Sequence, residues 1–184
     1  MEKPIIIKPS KVRKLLDGEK TQDRRLVRIQ PNHIGNGMYS VTGKLGSFMF
    51  KGKPDSKYWH LLEKPFDKGD LLWVRENFQI MEDGSIIYEA DYLSLSDEEV
   101  KEMTNTKRSW NASIHMKYEQ SRLRLLVTDI KIQRLEEITE EEARMEGFES
   151  LADLIKEWKE HGENPWLWAL NIKIKENGNR ENNT

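Results

Sequence analysis

The chain has 184 residues, enough for one domain with a real apolar core, and its 30 Lys and Arg nearly cancel its 32 Asp and Glu. That balance excludes a global pull on nucleic acid, so any such binding must come from a local basic patch. The absence of cysteine excludes disulfides and thiolate sites and fits a reducing, cytoplasmic setting; with no long apolar run, neither a signal peptide nor a membrane span is expected.

From the N-terminus, "PIIIK" (4–8) reads as a short buried strand of β-branched residues after a proline. "SKVRKLLDG" (10–18) reads as a short helix capped by Ser10, with an apolar stripe of Val12, Leu15 and Leu16 and a stop at Gly18. "RRLVRI" (24–29) is a strand that Pro31 ends. Residues 31–57 are rich in Gly, Asn and Lys and hold one strand, "GSFMF" (46–50); "GNG" (35–37) reads as an isolated turn signal. "DKGDLLWVRENFQI" (67–80) is a turn and a strong strand, with which "SIIYEAD" (85–91) pairs through the turn at Asp83-Gly84. "SDEEVKEM" (96–103) is a short capped helix.

The longest strand signal is "SRLRLLVTDIKIQRL" (121–135), whose apolar positions switch parity between Val127 and Ile130, predicting a bulge near Thr128 and Asp129. In "ITEEEARMEGF" (138–148), Thr139 and Glu142 form a capping box and Ile138 with Ala143 a hydrophobic staple. That phase places Glu146, three residues after Ala143, on the inward side. A helix at "SLADLIKEWKEHG" (150–162) buries Leu151, Leu154, Ile155 and Trp158, and "NPWLWALNIKIK" (164–175) is the last strand. Residues 176–184 read as a disordered polar tail. With no repeat and no long linker, the chain reads as one domain over 1–175, mainly strands with a few short helices, in a closed or nearly closed barrel.

Several chemistries have no signature here: there is no Walker loop, no dinucleotide fingerprint and no HExxH. His33, His60, His115 and His161 are scattered, so no metal site and no cofactor are expected. What stands out is Gly18-x-Lys20-x-x-Asp23-x-Arg25, between a short helix and a strand. On its residues alone it is either a solvated turn with a surface ion pair or the wall of a pocket.

This pattern resembles the signature of the ASCH domain family. "KGDLLWVRE" (68–76) is similar to the family's turn-and-strand segment, "RLLVTDIKIQRLEEITEEEARMEGF" (124–148) to its long strand and acidic helix, and "NPWLWALNIKI" (164–174) to its closing strand. "SIHM" (113–116) and "SR" (121–122) are similar to the larger, phage-type members. The resemblance runs from Lys3 to Lys175, with 31–66 and 92–120 as insertions on the smaller core. It implies an α+β fold, a PUA-like β-barrel of mostly antiparallel strands with short peripheral helices. It also implies RNA or modified-base recognition. One small bacterial branch of the family hydrolyses the acetyl amide of acetylated cytidine, and there the equivalents of Lys20 and Glu146 are functional. That branch carries threonine at the position of Asp23; a carboxylate beside Lys20 more naturally forms an ion pair, although it can also activate a water.

The expected partner is therefore RNA or a modified nucleoside, with DNA also open and no membrane involved. Lys20, Arg25 and Arg75 can meet phosphate, Asp23 or Glu146 can accept from an exocyclic amine, and Trp59, Trp110 or His115 can stack on a base; Arg122 completes this set. The alternative is a hydrolase of a modified nucleoside or of RNA, an amidohydrolase or ribonuclease, in which Lys20, Asp23 and Glu146 are catalytic. A third option is an accessory protein that meets a protein partner through its acidic helices. Structural roles stand beside these. Glu146 can balance Arg144 or a basic strand, Arg75 and Glu76 can form an internal salt bridge, and Trp73 and Trp166 belong in the core.

Overall fold

The computed structural model describes residues 2–43, 46–51, 62–104 and 110–175; Trp59 and the polar run 176–184 lie outside them. The chain divides into two compact units. One comprises Met1–Lys20, Asp70–Leu126 and Lys173–Thr184, the other Thr21–Gly69 and Val127–Ile172.

In the first unit, β1 (Glu2–Ile6) pairs in parallel with β6 (Leu71–Arg75), and β6 pairs antiparallel with the start of β9 (Arg124–Arg134). Ile5, Leu72, Val74 and Leu125 are buried on one face of these strands. Helix α1 (Pro9–Leu16) follows β1. Pro9, not Ser10, sets its start: it occupies a first-turn position, where a missing N–H costs nothing, and Lys8 is the N-cap without a side-chain cap. Val12 and Leu15 are buried as expected, whereas Leu16 is exposed. Gly18 ends the helix at φ +78°.

The expected single strand over 67–80 is two, β6 and β7 (Phe78–Ile80), with β8 (Ile86–Tyr88) paired to β7. The break falls at Glu76 and Asn77, whose side chains turn to long-range partners. Glu76 is fully buried against Arg122, and Asn77 bonds Glu89 and the amide of Ser113. Helix α2 (Asp97–Thr104) starts at Ser96, whose hydroxyl accepts from the Glu99 amide while the Glu99 carboxylate accepts from the Ser96 amide.

In the second unit, β10 (Trp166–Ile174) lies between β9 and β2 (Gln22–Leu26), antiparallel to β2 in continuous register from Leu167↔Leu26 to Asn171↔Gln22. Both faces of this sheet are covered. On one side, α3 (Glu140–Met145) and α4 (Leu151–Trp158) close a core of Leu135, Ile138, Ala143, Leu154, Trp158 and Leu167. On the other, Val27, Ile132, Trp166 and Trp168 pack with Val41 and Leu62. Along β9, Leu125 and Val127 are buried, Asp129 and Lys131 are exposed, and Ile132 and Gln133 are both buried, so burial covers both faces at the strand's end rather than showing the clean parity switch expected near Thr128 and Asp129.

Where one strand was expected there are three: β3 (Asn32–Gly35), β4 (Met38–Gly43) and β5 (Gly46–Lys51), in an antiparallel sheet. "GNG" is the β3–β4 hairpin turn: Asn36 and Gly37 both take positive φ, 49° and 68°, as a two-residue type I′ turn requires.

The fold is thus mixed α+β, with a mostly antiparallel sheet and short helices. Among the described residues no pairing closes the strands into the expected barrel. None of the described helices is long and apolar enough to cross a membrane.

Candidate functional site

The second unit gathers three of the singled-out charges, Asp23, Arg25 and Glu146, around β2. Side chains alternate along a strand, and Leu26 packs on the core under α3 and α4. Gln22 and Arg24 therefore share that helix-covered face, while Asp23 and Arg25 point to the other. Gln22 Nε2 donates to Oδ1 of its cross-strand neighbour Asn171 at 2.8 Å. Arg24 meets α3, whose phase is fixed by the predicted capping box: the Glu142 amide donates to Thr139 Oγ1 at 3.2 Å, and the Thr139 amide to Glu142 Oε2 at 3.2 Å. That phase turns Glu146 inward at the helix C-cap, and Gly147 at φ +86° then reverses the chain.

Arg24 Nη1 donates to Glu146 Oε2 at 2.5 Å, and both side chains are buried. Of the structural roles considered for Glu146, pairing with a basic strand is the one formed; Arg144 instead pairs with Glu140. Arg24 Nη2 lies 3.6 Å from Glu142 Oε2, while Arg24 Nε has no acceptor among the described residues. Glu142 also accepts from Lys131 Nζ and from Gln133 Nε2. Burial pushes its carboxyl up, but the bonds from Lys131, Gln133 and the Thr139 amide outweigh that and hold it below its ordinary range. The result is two cations and two acids locked together beneath α3.

Asp23 and Arg25 form a separate pair on the opposite face, with Arg25 Nε donating to Asp23 Oδ2 at 2.8 Å. Asp23 is buried and Arg25 about one-third exposed at 33 %. Lys20 is the last residue of the first unit. Its side chain is buried, and its amide donates to the Lys14 carbonyl just after α1.

The remaining candidates are dispersed. Arg75 is half-buried, stacked 4.8 Å over Trp73, and donates to the Met116 carbonyl. The internal bridge between Arg75 and Glu76 is replaced by one from Arg122. Its Nε and Nη2 bond the two oxygens of Glu76 at 2.9 and 3.0 Å, and Nη1 and Nη2 bond Asp91 at 2.6 and 3.1 Å. Burial works against this cation, yet the two acids hold it protonated well above its ordinary value. Burial likewise pushes Glu76 up, and Arg122 opposes the rise. His115 is exposed in the 3₁₀ turn Ser113–His115. Trp110 is half-buried, its ring 5.8 Å from that of Tyr92. Trp73 and Trp166 are buried. Among the described residues no three His, Asp or Glu side chains gather as a metal site.

The sequence points to Arg25 but not to Arg24 or Lys131, and it gives Glu142 only its capping role. The available signal was the acid at the third helical position of the capping box, which the inward phase of α3 aims toward the strands. Comparison with protein-family models, with curated proteins and with solved structures finds no match to this chain.

Proposed function

We propose that this protein is an ASCH-type domain with a PUA-like core that binds RNA or a modified nucleoside along the run Lys20–Arg25, with Glu146 holding Arg24 of that run from beneath α3. The burial of this ionic run carries the reading: Lys20, Asp23, Arg24 and Glu146 are each no more than 5 % exposed. A solvated turn with surface ion pairs would leave them in water. Withdrawing charges from water costs several kcal/mol per ion unless paired, on the order of what a whole domain has to spare, and such clusters are where sites are built. A carboxylate such as Asp23 accepts hydrogen bonds, which suits the exocyclic amine of a base. Arg25, partly exposed, suits a phosphate.

The hydrolase alternative asks Asp23 to act as a base or nucleophile although Arg25 already occupies one of its oxygens. Binding is therefore the favoured reading. Anisotropy titration with single-stranded RNA, with and without acetylated cytidine, tests it together with chromatography for the deacetylated product. Binding without turnover, weakened by Lys20→Ala and Glu146→Gln in variants that still fold, is expected. Turnover abolished by the same variants would instead assign the hydrolase. A folded wild-type protein that binds neither RNA nor nucleoside would overturn both.

A further inference from the structure

Strand pairing in the first unit sets Pro4, Trp73 and Arg124 opposite one another on β1, β6 and β9, with Arg75 two residues along from Trp73 on the same face. This is the face away from buried Leu72 and Leu125. Tyr118, in the 3₁₀ turn Tyr118–Gln120, sets its ring at 78° to Trp73 with centroids 5.7 Å apart. Arg75 lies 4.8 Å over Trp73, and Arg124 lies 4.3 Å over Tyr118. The ring pair is thus bracketed by two guanidiniums.

Their partners are unlike those of Arg122. Arg75 donates to the carbonyl of Met116 and forms no ion pair among the described residues. Arg124 donates to the carbonyls of Tyr118, Ser121 and Leu123 and to the Ser121 hydroxyl, and its acid neighbour, Glu2, stands at 4.0 Å. Carbonyls orient a guanidinium without cancelling its charge. Tyr118 is 41 % exposed, so part of its ring area is open. Open aromatic area between under-compensated cations suits a single strand, whose bases expose their flat faces and whose phosphates follow at each nucleotide. A duplex hides those faces in its stack.

We propose that this face of the first unit is a further nucleic-acid contact, taking a base of a single strand on Tyr118 and the flanking phosphates on Arg75 and Arg124. The proposal rests on the nucleic-acid reading above and adds to it a place and a preference for single strands. The test is anisotropy titration of the full chain with a short single-stranded RNA, the DNA of the same sequence, and the matching duplex, over a salt series. Single strands bind about tenfold more tightly than duplex, and Tyr118→Ala weakens them about tenfold. Arg75→Gln weakens them and makes the salt slope shallower by about 0.7, one phosphate contact on a single strand. Tyr118→Phe regains most of the affinity lost in Tyr118→Ala, which separates the ring from a folding defect. Tighter binding of either the RNA or the DNA strand supports the proposal and names its natural source. If single strands bind, and Lys20→Ala weakens them while Tyr118→Ala and Arg75→Gln do not, this surface is refuted and the reading around Lys20 stands. If a folded wild type binds no single strand, both fall.

Discussion

Arg24 Nη1 and Glu146 Oε2 meet at 2.5 Å across 122 residues of sequence, with neither side chain open to water. The contact ties the C-terminal end of α3 to β2, and it sits where the Thr21 amide also donates to the Met145 carbonyl at 2.7 Å. An ion pair so placed fixes how the helix seats on the sheet more than it adds net stability, because both charges lose their hydration.

That balance predicts asymmetric variants. Arg24→Met or Glu146→Leu each removes one partner of a buried ion pair and costs about 3–5 kcal/mol, whereas the double variant Arg24→Met with Glu146→Leu recovers most of the loss. Urea unfolding of the four proteins at neutral pH measures the coupling. Single-variant costs that simply add in the double would show that the pair is not the interacting unit.

Glu142 gives a pH-dependent prediction. Its carboxyl is held below the ordinary value, roughly 4.3, by Lys131, Gln133 and the Thr139 amide. Lowering in the folded state means that the stabilisation is complete above the unfolded value and fades as pH drops through the folded one. Glu142→Gln keeps a side chain suited to the capping box and removes the charge. Its destabilisation relative to wild type should be full at neutral pH and shrink in strong acid, as read from thermal midpoints across a pH series. A gap that does not change with pH would sink the argument.

How much of this was legible in the sequence depended on whether the signal was local. The capping box of Thr139 and Glu142 spans four residues, so the phase of α3 and the inward turn of Glu146 could be read directly. Arg24 could not be separated from Arg25, because the sheet carrying β2 is covered on both faces and shows no apolar-polar alternation to say which arginine faces α3. Arg122 and Glu76 are 46 residues apart, and nothing near either residue marks the other. The β3–β4 hairpin was missed for a different reason. Its strands are short and β3 is mostly exposed, so apolar alternation does not flank the Asn36-Gly37 turn on both sides to mark it as a hairpin.

The same turn can be tested by a single methyl group. Gly37 sits at φ +68° with open space where a Cβ would go, so Gly37→Ala meets backbone strain rather than a clash. The expected cost is about 1 kcal/mol, the lower end of the penalty for a non-glycine residue in the left-handed region. Unfolding of Gly37→Ala against wild type checks it; an unchanged midpoint would mean that the hairpin does not hold this turn in solution.

Arg122 supplies the sharpest contrast with Glu142, since its partner is shifted the other way. Burial raises the Glu76 carboxyl in the folded state, so its contribution is greatest below the unfolded value and declines as pH rises through the folded one. Arg122 opposes that rise with two hydrogen bonds. Removing it in Arg122→Ala lets Glu76 climb further, so the folded protein must either take up a proton or bury a bare carboxylate. The cost of Arg122→Ala is accordingly smallest in acid and grows as pH rises, to about 3 kcal/mol, the low end for breaking a buried pair because the guanidinium is partly exposed. Adding Glu76→Gln to Arg122→Ala removes the pH dependence, because an amide has no charge to strand. Urea midpoints for wild type and both variants at three pH values decide the matter: a cost that is flat or falls toward alkaline pH would mean that Arg122 does not hold Glu76 ionised.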